Sequence, residues 1–177
     1  GTYTLNSPLP ADPTRANLEV SGNTIIGNGG VGIFNHQQGS QRISGNLIIG
    51  NTVVYDVRNG LANDGSLVAQ ITSVGNGTYT QTGGAVSVGG TITIAAGTSS
   101  QGTYDLKGGT LTAANIVNND TFNFSGGNLN ANITNNANFK LEGPGERVVN
   151  GTFGNNVAAA MLEIANTQPI FTQDVTN

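Results

Sequence analysis

Residues 77–143 repeat one short motif, and any fold must accommodate the repetition. Gly77-Thr78-Tyr79-Thr80-Gln81-Thr82-Gly83-Gly84 returns as Gly102-Thr103-Tyr104-Asp105-Leu106-Lys107-Gly108-Gly109. It returns again as Asp120-Thr121-Phe122-Asn123-Phe124-Ser125-Gly126-Gly127, and in worn form around Phe139. The aromatics at 79, 104, 122 and 139 are separated by 25, 18 and 17 residues. Repeats of this length signify stacked structural units, each too small to bury its own apolar face.

A second repeat lies upstream. Val20-Ser21-Gly22-Asn23-Thr24-Ile25-Ile26-Gly27-Asn28 matches Ile43-Ser44-Gly45-Asn46-Leu47-Ile48-Ile49-Gly50-Asn51 at seven of nine positions, 23 residues apart. Such a step suits one coil of three short strands and three turns. β-Branched residues supply the strands, and Gly-Asn supplies a corner, since both residues tolerate positive φ. Ala85-Val86-Ser87-Val88 and Thr91-Ile92-Thr93-Ile94 alternate with period two, as strands with one buried face do. Ala95 to Gln101 reads as a loop bulging from a corner.

The sequence therefore predicts an all-β, single-stranded parallel β-helix, or β-solenoid, of roughly eight rungs. It should be right-handed, as nearly all parallel crossovers are. Residues 18–177 form the solenoid. Residues 1–17 hold an N-terminal strand and a Pro-rich arm or loop at 7–13, where Pro8, Pro10 and Pro13 each lack a ladder donor. With rungs ~4.8 Å apart the rod should be about 35–40 Å long.

Finer expectations follow. Tyr55 stands 24 residues before Tyr79, so it should begin an internal column of Tyr79, Tyr104, Phe122 and Phe139. Val31 and Ile33 should face inward, with a polar turn around an exposed His36. Asn118/Asn119 and Asn135/Asn136 should stack at one corner, with Asn155/Asn156 extending the row. Residues 157–165 have high helix propensity but should give a loop and then a strand from Leu162.

Composition narrows the function classes. Only 9% of residues are charged, the formal net charge is -4, and there is no cysteine or basic cluster. The phosphate-binding footprint of a nucleic-acid partner is missing, as is an apolar run of ~20 residues for a membrane span. Low charge with abundant Asn, Thr and Gly suggests an extracellular or cell-surface setting.

Gly-Gly-Thr-Leu-Thr followed by Asn-Ile-x-Asn-Asn-x-x-Phe, within residues 102–139, resembles the autotransporter-type β-helix repeats of large secreted bacterial surface proteins. Similar repeats occur in proteins carrying exosortase sorting signals. The resemblance covers residues 53–177 well and 18–51 loosely. It implies a surface-exposed solenoid; such proteins include adhesins, matrix components and a few enzymes.

Candidate chemistry is sparse. His36 is the only histidine and there is no cysteine, so a transition-metal site is not expected. Asp56 and Asp105 occupy matching Tyr-Asp positions. Two rungs apart on one face, they would lie about 9–10 Å from each other, with Thr80 between. That is at or beyond the wide end of inverting-glycosidase spacing, about 6.5–9.5 Å. Nonapeptide calcium rolls need Gly-Gly-x-Gly-x-Asp, which is missing; an isolated site at Asp64 or Asp120 stays open. Thr91/Thr93 and Thr110/Thr112 are similar to the Thr pairs of ice-binding solenoids, but those need the same pair on many successive rungs, and here it recurs only once or twice. Asn76, Asn119, Asn132 and Asn150 head formal glycosylation sequons. No catalytic, cofactor or metal set emerges, and no enzyme is expected.

The expected function is an extracellular structural solenoid, serving as stalk, matrix or fibre subunit and self-associating through its ends. The alternatives are an adhesin-type module binding glycans or cell surfaces through Tyr3, Gln37, Gln38 and the Asn ladders, and a polysaccharide-active enzyme using Asp56 and Asp105.

Overall fold

A computed structural model describes residues 1–5, 17–57 and 69–177. The chain coils into a parallel β-helix. Coil 1 comprises β1 (Thr2–Leu5), β2 (Asn17–Val20) and β3 (Thr24–Asn28). Coil 2 comprises β4 (Val31–His36), β5 (Ser40–Ile43) and β6 (Leu47–Asn51). A hairpin follows, β7 (Val53–Val57) and β8 (Ala69–Ser73). Coil 3 is β9 (Asn76–Gln81) and β10 (Ala85–Ile94); coil 4 is β11 (Gln101–Leu106) and β12 (Thr110–Asn118). Coil 5 is β13 (Thr121–Phe124) and β14 (Asn128–Asn135). Coil 6 is β15 (Asn138–Glu142), β16 (Glu146–Asn150) and β17 (Phe153–Asn155). Coil 7 is β18 (Met161–Ala165), β19 (Gln168–Phe171) and β20 (Val175–Thr176).

One sheet runs β1-β4-β9-β11-β13-β15-β18, one strand per coil. A second, bent sheet receives the other strands of every coil, and both sheets are parallel throughout. The bend falls where register shifts between Val88 and Thr91 and between Thr112 and Asn115. Where the bend is sharper, one long strand becomes two, as in β5/β6 and β16/β17. Each coil thus has three short faces, as the repeat length predicts.

Gly84 and Gly109 show why the first corner needs glycine. Both adopt positive φ, 68° and 80°. A Cβ on Gly109 would lie 2.3 Å from the carbonyl oxygen of Gly84, and one on Gly84 would lie 2.4 Å from that of Gly39. Backbones stack so closely there that no side chain fits.

The core is a set of columns running along the rod. Tyr3, Phe34, Tyr79, Tyr104, Phe122 and Phe139 stack face to face at centroid spacings of 4.7–5.1 Å. The spacing is that of the strands themselves, so offset stacking follows from the backbone ladder. The column turns onto the second sheet through Phe153, edge-on to Phe139, and Phe171. Leu106, Phe124 and Leu141 form a second buried column, and Leu111, Leu129 and Val149 a third.

The Asn ladders form as expected and run further. Asn118 donates to Asn135 (2.8 Å), Asn135 to Asn155 (2.9 Å), and Asn155 to Asn177 (2.8 Å). Beside them Asn136 donates to Asn119 and Asn156 to Asn136. Asn118 and Asn135 are fully buried. Asn135 also donates to the carbonyls of Ala137 and Met161, so the corner's polar atoms are matched across three coils. Residues 95–100 loop out between β10 and β11, and β18 begins after a turn, both as predicted.

Three expectations fail. Tyr55 does not begin the aromatic column. Its strand, β7, pairs antiparallel with β8, Tyr55 opposite Ile71. The true neighbour of Tyr79 is Phe34, 45 residues upstream. Residues 53–57 and 69–73 therefore pair with each other outside the parallel stack rather than forming a rung. The described residues build seven coils, in line with the roughly eight expected, a rod roughly 30–35 Å long. The phase of β4 is also reversed: Val31 and Ile33 are exposed, whereas Phe34 and His36 point inward. His36 is consequently fully buried, not exposed. The Pro-rich arm lies outside the described residues.

Candidate functional site

The register tests each sequence-derived candidate. Thr80 lies between Asn35 and Asp105 on the outer face of the first sheet. Asp56 lies opposite Gln70 in the hairpin, so the two aspartates do not occupy matching rungs, and the paired-carboxylate geometry is lost. Asp105 instead accepts from the Asn123 amide (2.8 Å) and pairs with Lys107 (3.4 Å). Asp120 closes a corner: its carboxylate accepts from the Gly102 amide (2.9 Å) and the Thr121 hydroxyl (3.2 Å). Asp64 lies outside the described residues. Among the described residues no cluster of three His, Cys, Asp or Glu side chains could hold a metal ion.

The threonine pairs stand on different faces. Thr91 neighbours Asn115 and Thr93 neighbours Ile48 and Val117 on one side of the bend. Thr110 and Thr112 neighbour Ala85 and Ser87 on the other. The pairs build no continuous Thr ladder. Among the sequon asparagines, Asn119 and Asn150 already use their amide nitrogens, toward the Ala95 carbonyl and the Asn130 side chain.

What the structure brings together lies at the ends and in one stretch of the interior. At the N-terminal end β1 and β3 are edge strands. Tyr3 keeps half its surface exposed, although it belongs to the internal column. A cleft of about 330 Å³ opens there between β1, β3 and β4, lined by Tyr3, Ile25, Ile26, Ile33 and Phe34. At the other end Ile164 (48% exposed) and Val175 (49%) continue the inward columns of Leu141 and Phe153. In coils 3–6 the corresponding large side chains are fully buried. Gln37 and Gln38 are exposed at the corner after β4.

The interior carries a polar layer that sequence reasoning missed. His36, Gln41 and Gln81 are buried among aromatic and aliphatic side chains. The Tyr79 hydroxyl donates to Gln41 Oε1, and the Tyr104 hydroxyl donates to Gln81 Oε1 (2.8 Å). Gln81 Nε2 donates to the Thr110 carbonyl (3.1 Å). Gln41 Nε2 and both His36 ring nitrogens find no partner among the described residues. Burial lowers the His36 pKa below the ordinary imidazole value. The signal for this layer was the register Phe34–Tyr79, which places His36 beside Gln81.

The chain matches no protein-family model, no curated protein and no solved structure. No helix among the described residues is long and apolar enough to cross a membrane.

Proposed function

We propose that the chain is a structural β-solenoid of the extracellular space or cell surface, working as a stalk, matrix or fibre element whose end coils accept further coils from another copy. The observation that carries this reading is the contrast between the ends and the middle. Tyr3, Ile164 and Val175 sit in columns that are fully buried elsewhere, yet each is about half exposed. Beside them run strands with one edge unpaired among the described residues, able to extend a parallel ladder. A contact between opposite ends of identical rods is heterologous, and it propagates when it does not close on itself. The low charge and the abundance of Asn, Thr and Gly suit the location, as does the resemblance to secreted bacterial β-helix repeats.

Sedimentation velocity across a range of concentrations, with electron microscopy, tests the assembly. Rods should lengthen in multiples of the single unit, and Ile164→Lys should keep them short. Single rods at every concentration would sink end-to-end assembly. A glycan-binding role draws on the exposed Gln37 and Gln38 beside the polar outer face of the first sheet. Binding on a glycan array that is lost in a Gln37→Ala/Gln38→Ala variant would favour that role instead.

A further inference from the structure

The partnerless part of the polar layer is confined to one place in the rod. In the column that holds His36 and then Gln81, the next three coils place Leu106, Phe124 and Leu141. In the column of Gln41, the following coils place Val86, Leu111, Leu129 and Val149. Gln81 and Tyr104 satisfy one another and the Thr110 carbonyl. One coil up, among the described residues, Gln41 has one hydrogen bond, from Tyr79, and the His36 ring nitrogens meet no side-chain partner, with only the Gln38 backbone near the ring. Glycine makes room for the imidazole: a Cβ on Gly84 would come within 2.8 Å of His36 Cε1.

We propose that His36 is an acid-sensitive latch on the N-terminal coils: when its imidazole takes up a proton from solvent, the layer that it shares with Gln41 and Tyr79 opens, and coils 1 and 2 part from coil 3 while coils 4–6 stay closed. The inference is independent of the proposed function. A neutral imidazole can lie in an apolar layer at the cost of unmet hydrogen bonds. An imidazolium there must give up its hydration, and the Gln38 backbone offsets only part of the loss.

No charged or titratable side chain among the described residues supplies the rest. From β9 and β11 the titratable neighbours are Tyr79 and Tyr104, whose burial keeps them protonated far beyond neutral pH. Arg42 on β5 and Glu19 on β2 are exposed, and Asp105 on β11 is engaged by Asn123 and Lys107. No carboxylate among the described residues forms an ion pair with His36.

Linkage sets the pH window. The opened imidazole titrates near 6.5, and burial depresses the value in the closed form. Above about pH 6.5 both forms are neutral and this group contributes no pH dependence. Below it the open form binds a proton that the closed form does not. Opening then grows by up to about tenfold per pH unit until the depressed value is reached.

The lone histidine makes the test unambiguous. Hydrogen-exchange protection, corrected for intrinsic rates, is measured at pH 7.5 and pH 5.0, with the imidazole followed by NMR. Residues 17–51 should lose about tenfold or more in protection at the lower pH, while residues 110–142 change little. His36→Leu, which copies Leu106 and Leu141, should abolish the difference. His36→Gln, which copies Gln81, serves if the leucine variant does not fold. The proposal is overturned if the variants keep the same pH response, if protection falls evenly along the rod, or if the imidazole titrates at its ordinary value with protection unchanged.

Discussion

A phenol inside an aromatic stack combines a hydrophobic body with a polar tip that must be matched. Tyr79 and Tyr104 are fully buried, and each donates a hydrogen bond from its hydroxyl to a glutamine one coil upstream. Burial raises both phenol pKa values well above 10.0; for Tyr104 the neighbouring Tyr79 adds to the effect. The consequence for stability has a definite sign. Above about pH 10 an unfolded tyrosine loses its proton while the folded one keeps it. The native state then binds more protons, and stability falls as pH rises further. Of the four tyrosines, Tyr3 has half its surface in solvent. Absorbance at 295 nm should show Tyr79 and Tyr104 ionising only together with loss of the β-sheet circular dichroism. Ionisation of Tyr79 and Tyr104 near pH 10 with the spectrum intact would contradict this account.

The hairpin β7–β8 is the one described element outside the parallel stack, and its attachment is local. Asn51 and Gly75, which bracket it, are in backbone contact: a Cβ on Gly75 would lie 2.1 Å from the Asn51 carbonyl oxygen. In the coil above, the same corner is Asn28-Gly29-Gly30-Val31, and Val31 pairs with Asn76. Replacing residues 52–74 by a single glycine should therefore rebuild that corner as Asn51-Gly-Gly75-Asn76. The melting temperature should shift by only a few degrees, because among the described residues the side-chain bonds lost to the stack are that of Thr52 to the Thr98 carbonyl and that of Ser73 to the Gly29 carbonyl. Unfolding of coils 1 and 2 in the shortened chain, detected by exchange, would show that the hairpin holds the stack together. The same element marks where the sequence stopped being legible. Residues 77–143 were readable because the periodic Gly-Gly corner, the aromatic and the Asn pair all agree on one register. Tyr55 imitated that register by distance alone, and only strand pairing separates a rung from a hairpin. His36 was misread for a related reason. Its neighbours Asn35, Gln37 and Gln38 are polar, and the β-branched Val31 and Ile33 invite an inward assignment. The phase of β4 is set instead by Phe34 stacking between Tyr3 and Tyr79. The Asp56–Asp105 pairing failed with Tyr55, because both rested on the same false rung.

In a solenoid each coil touches only its neighbours, so stability is distributed along one dimension. Phe122 lies in the middle of the stack, with Tyr104 at 5.1 Å on one side and Phe139 at 4.8 Å on the other. Both coils that flank it have buried columns of their own, so a cavity there has no surface into which to collapse. Phe122→Ala should cost about 3–5 kcal/mol. Tyr3→Ala has one stacking partner, Phe34, and already leaves half the ring in water. It should cost no more than about half as much, since roughly half the apolar area leaves the solvent on folding. The two variants should also fail differently. Loss of Phe122 should weaken exchange protection in β11, β13 and β15 together, because it interrupts the column from both directions. Loss of Tyr3 should loosen β1 and β4 and leave β13 protected. Equal destabilisation by the two substitutions, with the same exchange profile, would mean that the rod unfolds as one indivisible block rather than coil by coil.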